Sequence, residues 1–153
     1  MTKSVDDFHD MPGFLRLLIA QSLASIILVL GTILQGSVVI EGQRVGAQAW
    51  WTNGSGILFT VIIGFFFSAG VLMLKRARFC RVYYLVSWAF LYLGTFLIDP
   101  LNGIPSSVQE SIPGVAFGFM QLVVFAIYLY FNKRAVRYFS EERPEGRKIR
   151  RGY

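Results

Sequence analysis

Apolar residues in this chain fall in four unbroken blocks, separated by short polar stretches. The blocks run Leu17–Leu34, Gly56–Leu74, Val82–Ile98 and Ile112–Phe131, and none contains a charged residue. Each is within or near the roughly 17–25 residues a helix needs to cross a hydrocarbon core of about 30 Å. A backbone in lipid has to close its own hydrogen bonds, and the period-2 alternation of a membrane strand is absent. The blocks therefore predict helices. The expected fold is an all-α membrane protein with four transmembrane helices over about 17–35, 54–74, 82–98 and 112–131. One transmembrane domain then covers 1–139. The basic tail 140–153 has no apolar pattern beyond Pro144 and is expected to be disordered.

The polar stretches punctuate these helices. Met11-Pro12-Gly13 is a natural break before the first. Between the first and second, Val38-Val39-Ile40 and Val45 flank Glu41-Gly42-Gln43-Arg44, which reads as the tight turn of a small hairpin. Trp50 and Trp51 then stand where an interfacial anchor belongs. Asp99-Pro100 is expected to end the third helix, and Pro113 suits the first turn of the fourth. Asn53-Gly54-Ser55 matches a glycosylation sequon but lies close to the membrane. Asp6, Asp7 and Asp10 stand where a secretory signal would be positive, so the first block is read as a retained helix.

Composition excludes the main alternative. Hydrophobic residues make up 54% of the chain and charged residues 16%, against about 25% charged in an average globular protein. Four uncharged blocks in 153 residues leave too little polar surface for a soluble bundle.

The few charges are strongly sorted. Lys3 and Arg16 precede the first block. Lys75, Arg76, Arg78 and Arg81 lie between the second and third, and Lys133, Arg134, Arg137, Arg143, Arg147, Lys148, Arg150 and Arg151 follow the fourth. Arg44 alone lies in either of the other two loops, so fourteen of the fifteen basic residues share one side. The positive-inside rule predicts cytoplasmic termini. The run Lys75–Arg81 becomes a cytoplasmic turn, and its cations, with Lys133, Arg134 and Arg137, set orientation and meet lipid headgroups. Tyr83 and Tyr84 read as an interfacial belt rather than a base-stacking platform, so no nucleic-acid partner is expected. Cys80 reads as a small interfacial residue, with S-palmitoylation or a reactive thiolate beside Arg78 and Arg81 as the alternatives. It is the only cysteine, so no intrachain disulfide is expected.

Candidate chemistry is sparse. No Asp, Glu, His, Lys or Arg lies inside the blocks, where proton-coupled transporters usually carry one. Bis-histidine haem is excluded because His9 is the only histidine. Asp6, Asp7, His9 and Asp10 form a short acidic lead-in rather than an expected metal site, and no metal, cofactor or catalytic residue is assigned. The polar residues in the blocks are Gln21, Ser22, Ser25, Thr60, Ser68, Ser87 and Gln121. Gln121, near the middle of the fourth, needs a hydrogen-bonding partner within the bundle, on another subunit or on a ligand. Small residues recur at a spacing of four in Gly114/Gly118, Gly64/Ser68 and Ala20/Ala24, ridges that let helices approach within the chain or across a partner interface. Phe65-Phe66-Phe67 reads as lipid contact and aromatic packing, or as part of a quinone or lipid cleft.

The fourth block ends in Tyr130-Phe131-Asn132-Lys133-Arg134-Ala135-Val136-Arg137-Tyr138-Phe139. With four helices, cytoplasmic termini and a short basic turn between the second and third, this resembles a family of small bacterial inner-membrane proteins, the domain of unknown function numbered 2569. The resemblance covers the topology of most of the chain and, locally, this one motif. Asn132 and Ala135 depart from it, where basic or hydroxyl residues belong. It implies a bacterial inner (plasma) membrane location and no established activity.

The expected function is that of a non-catalytic accessory or assembly subunit of a larger membrane complex. Its partners would be the lipid bilayer and other membrane subunits, or further copies of itself. The alternatives are a small oligomeric transporter or channel or a lipid- or quinone-handling protein, and a membrane immunity protein against a pore-forming toxin.

Overall fold

The structure, a computed structural model, describes residues 11–40, 42–104 and 108–140. The acidic lead-in before Met11 and the tail from residue 141, with its expected disorder, lie outside the described residues. The chain is mostly helical, and four of its helices are long and apolar enough to cross a membrane: Gly13–Leu34, Ser55–Leu74, Cys80–Leu101 and Ile112–Phe131.

The first of these is two segments, α1 (Gly13–Ala24) and α2 (Ile26–Leu34), joined at Ser25. The Ser25 hydroxyl donates to the Ser22 carbonyl at 2.7 Å, and the Leu28 amide bonds back to the Ser25 carbonyl at 3.0 Å. A serine bonding its own helix backbone loosens the ladder there and bends it. β1 (Ser37–Ile40) and β2 (Gln43–Gly46) follow, antiparallel, with Ile40 opposite Gln43 and Ser37 opposite Gly46. The expected four-residue turn narrows to two, because Gln43 and Arg44 are already paired to Ile40 and Val39. α3 (Ala47–Thr52) then leads into α4 (Ser55–Leu74). Trp50 is not an exposed anchor. It is buried, with its ring edge-on to Phe59 at 5.9 Å.

α5 (Cys80–Leu101) contains Asp99 and Pro100 rather than stopping before them. Its end explains why. The Gly103 amide bonds the Pro100 carbonyl at 3.1 Å and the Ile104 amide bonds the Asp99 carbonyl at 3.1 Å. Gly103 is left-handed at φ +68° and Ile104 is buried. This is a Schellman closure, and the stop signal is the glycine three residues beyond the proline. α6 (Val108–Phe131) starts before the expected boundary, so Pro113 lies inside it, past the first turn, and α7 (Lys133–Ser140) follows after Asn132.

The long helices neighbour one another in the order α1, α4, α5, α6. Their shared core is concentrated at one end. Leu15, Leu18 and Ile19 of α1 meet Phe66, Ala69 and Met73 of α4, Cys80, Tyr84 and Trp88 of α5, and Phe125 and Leu129 of α6. Phe66, Tyr84, Trp88 and Phe125 form a knot of rings with centroids 5.0–6.3 Å apart. Phe14 closes the gap from α1 to α6, 4.6 Å from Tyr128. This end carries the turn from Lys75 to Phe79 and is called the basic end. At the opposite, hairpin end the packing thins. Val29 is the one buried residue of α2, and between Ile112 and Val124 only Gly118 is buried on α6.

Helix crossings are made where a glycine admits a neighbour. On α4, a Cβ at Gly70 would lie 2.9 Å from the Ser22 side chain, whose hydroxyl donates to the Phe66 carbonyl. A Cβ at Gly118 would lie 2.8 Å from the Tyr92 ring. Substituting Gly70 by valine should separate α1 from α4 and cost about 2 kcal/mol, as overpacking does. Gly64→Ala, where a Cβ meets nothing within 4 Å, should leave stability within about 0.5 kcal/mol of the parent. Unfolding of both variants in mild detergent measures the contrast, and equal effects would contradict the crossing geometry.

Candidate functional site

The turn at the basic end is built from a strained arginine. The Arg76 amide bonds the Met73 carbonyl at 3.1 Å, and the Ala77 amide bonds the Leu72 carbonyl at 3.0 Å. This is again a Schellman closure, with Arg76 at φ +53° in the position that favours glycine. A left-handed backbone costs an L residue about 1 kcal/mol. Its side chain gives a reason for the arginine. The guanidinium lies 4.0 Å above the ring of Tyr138 on α7. A cation over an aromatic face is worth about 0.5–2 kcal/mol, the upper end where water is excluded.

Arg81, one residue into α5, makes the second tie. Its guanidinium is 5.3 Å from the Tyr130 ring and 5.0 Å from the Phe139 ring. One of its Nη atoms donates to the Leu129 carbonyl at 3.3 Å. That carbonyl belongs to the last turn of α6, where acceptors lack helical donors and a cation is favoured. Asn132 begins α7. Its side-chain oxygen accepts from the Arg134 amide at 3.0 Å and the Ala135 amide at 3.2 Å, an N-cap that turns the chain out of α6. Tyr138 and Ala135 are buried against the bundle, whereas Lys133, Arg134 and Arg137 are exposed. α7 is therefore a separate short helix, and Tyr138 faces the protein.

The basic residues expected to act alike thus divide. Arg76 and Arg81 fold back onto aromatic rings. Lys75 and Arg78 are exposed, with Arg78 5.6 Å from the ring of its neighbour Phe79. Cys80 is 2% exposed within the core, so its thiol is shielded.

The expected polar and small-residue positions divide in the same way. Gln121 receives the hydroxyl hydrogen of Tyr92, pairing α5 with α6 midway along both helices. Ser68 shares a hydrogen bond with the Tyr83 hydroxyl at 2.9 Å, tying α4 to α5. Gly118 is packed under Tyr92. Gly114, Gly64, Ala20 and Ala24 are exposed, and a Cβ at Gly114 or Gly64 meets nothing within 4 Å. Gly118 and Ser68 therefore lie at contacts between these helices, whereas their ridge partners Gly114 and Gly64, and the Ala20/Ala24 pair, do not. At the hairpin end, Asn102 donates to Ser55 at 2.9 Å and to the Ile98 carbonyl at 2.8 Å, and Asn53 donates to Asn102 at 2.8 Å. This clasp joins the start of α4 to the end of α5. Among the described residues no group of three or more His, Cys, Asp or Glu side chains comes together to hold a metal.

Sequence reasoning missed Tyr130, Tyr138 and Phe139 as partners of the basic turn, and Asn132 as the cap of α7. The available signal was three rings flanking an Asn-Lys-Arg break, opposite a turn rich in arginine. The arrangement is made of cation–aromatic contacts and one arginine–carbonyl hydrogen bond. It fixes a short cationic helix against one end of a helical bundle. No family model, curated protein or solved structure matches the chain.

Two results check this site. Arg76→Ala removes the stacking but keeps the strained backbone, whereas Arg76→Gly removes both. The glycine variant should be the more stable by about 1 kcal/mol in detergent unfolding, and equal stabilities would rule out the left-handed turn. Cys80 should resist a bulky maleimide in the folded protein and react fully after denaturation. Rapid labelling of the native chain would contradict its burial.

Proposed function

We propose that the chain is a non-catalytic integral membrane protein, an accessory or assembly subunit of a larger membrane complex. In this reading it sits in a bacterial inner membrane with both termini in the cytoplasm. The basic end faces the cytoplasm because fourteen of the fifteen lysines and arginines fall on that side.

The observation that carries the reading is the uncovered state of the last long helix. In its most apolar window α6 is 17% buried, against 28–33% for the other three. Gly114 lies open on this helix among exposed Val115, Phe117, Phe119 and Met120. Small residues beside large ones form the kind of ridge against which another membrane helix packs closely. Gln121 lies on the edge of that surface, half-buried, with its side-chain oxygen already engaged by Tyr92. α6 is thus fixed to its own bundle along one side and open along the other.

The same half-buried Tyr92–Gln121 pair, below the thinly packed hairpin end, favours a second reading. In it the protein is an oligomeric carrier or lipid-handling protein that admits a polar group between α5 and α6.

Purification of the full chain from its membranes in mild detergent separates these. The subunit reading expects one larger membrane protein at fixed stoichiometry, lost in Gly114→Leu while the bundle itself still folds. A stable homo-oligomer without other protein would support the carrier reading, and a lone monomer would overturn both. Orientation has its own check. Gln at both Lys75 and Arg78, which removes cations outside the arginine–aromatic ties, should give mixed topology in reporter fusions at the 75–79 turn. Purely cytoplasmic signals would show that Lys75 and Arg78 are not needed to set orientation.

A further inference from the structure

We infer that α7 and the neighbouring 75–79 turn form a docking surface for anionic phospholipid headgroups, and that this contact holds α7 in place at the membrane surface. The inference rests on the membrane reading above. It adds the chemical class of the lipid and the residues that meet it.

The argument begins with position. α7 starts two residues after Phe131, the last residue of a helix long and apolar enough to span. The intervening Asn132 caps it, so α7 is a separate helix that begins where the span ends. In the proposed orientation this places it at headgroup depth. Its orientation about its own axis is then set from inside. Ala135 and Tyr138 are buried, Arg76 stacks on Tyr138, and Arg81 reaches Phe139. The remaining face, at a spacing of one and then three residues, is Lys133, Arg134 and Arg137, all exposed. Helical periodicity makes these three cations a single patch.

The turn extends that patch. Lys75 and Arg78 are exposed at the same end of the bundle. Phe79 and Phe131, 72% and 77% exposed, lie at the junction between the spans and this basic layer. Large apolar rings beneath a ring of cations match the two parts of a lipid, its acyl chains and its anionic phosphate. Charge balance points the same way. Fourteen basic residues and six acidic ones, Asp6, Asp7, Asp10, Glu141, Glu142 and Glu145, belong to the segments on this side. The partner is therefore anionic, and a bilayer surface is the anion that geometry places beside it.

Arg76 and Arg81 have a different role in this account. They are turned onto rings of the protein and position α7, so they set where the cationic face points. The exposed five carry the lipid contact itself. A soluble phosphate would satisfy the charge but not the exposed rings.

The full chain is reconstituted into phosphatidylcholine nanodiscs, and phosphatidylglycerol is raised stepwise in place of part of the phosphatidylcholine. The readouts are the melting temperature and the lipids retained in native mass spectrometry. Melting is expected to rise with phosphatidylglycerol, with that lipid retained preferentially and the preference falling as salt is raised. Gln at Lys133, Arg134 and Arg137 together should melt like the parent in pure phosphatidylcholine. It should lose the preference for the anionic lipid by roughly 100-fold, from about 1 kcal/mol for each cation. Lys at Arg134 and Arg137 should keep it. Inorganic phosphate at matched charge should give no rise in melting temperature. No rise with phosphatidylglycerol, an unchanged preference in the triple Gln variant, or an equal rise with phosphate would overturn the lipid surface. Those results would leave the membrane reading standing. Failure of the chain to enter nanodiscs of any composition would overturn the membrane reading, and this inference with it.

Discussion

Arg76 occupies a left-handed backbone position at φ +53°, and its guanidinium lies 4.0 Å from the Tyr138 ring. Strain of about 1 kcal/mol is offset there by a cation–π contact of similar size. The local balance is close to even, and its consequence is not local. It lets the chain reverse between α4 and α5 in few residues while fastening α7 across the same end. Arg81 repeats the device from the other side of the turn. It ties α5 to the carbonyl of Leu129 and to rings on α6 and α7. Two side chains thereby connect α4, α5, α6 and α7 at one level of the molecule.

That level coincides with the densest packing. The ring knot of Phe66, Tyr84, Trp88 and Phe125 lies one to two turns inside the clamp, and Phe14 brings α1 against α6 beside it. Toward the hairpin end the helices are held by separate, smaller contacts: the Tyr92–Gln121 pair and the Asn53–Asn102–Ser55 clasp. Each is a hydrogen bond beside a close approach rather than a shared core. Local opening is governed by the number of buried apolar contacts, so motion belongs at the hairpin end and rigidity at the basic end.

Much of this architecture was legible in the chain. Block length and absence of charge marked the four long helices, and the apolar residues flanking Glu41-Gly42-Gln43-Arg44 marked the hairpin. Most of the details that escaped depend on distant partners, whereas the end of α5 depends on residues just beyond the proline. Asp99-Pro100 looks like a helix end until Gly103 and Ile104 supply the Schellman closure beyond it. Gly114 and Gly118 look like one ridge. Only Gly118 faces Tyr92, and a Cβ at Gly114 would meet nothing within 4 Å. Gly70 belongs to no repeating ridge singled out from spacing, yet it admits Ser22. The basic turn was legible as charge. Its division into two inward arginines and an exposed remainder was not, because Tyr138 and Phe139 lie more than fifty residues downstream.

α6 links the two ends most directly. Near its middle it is held by Tyr92 and Gly118, and at its last turn by Arg81 through Leu129. Asn132 then passes it into α7. A partner helix docking on the open side of α6 would press on a rod fixed at both of those points, so tilting it strains the Tyr92–Gln121 pair or lifts Leu129 from Arg81. Either movement bears on the arginine–aromatic clamp, since Arg81 also touches Tyr130 and Phe139. The exposed face of α6 and the cationic face of α7 are therefore not independent surfaces. One continuous run of backbone, broken only at a capped asparagine, carries both.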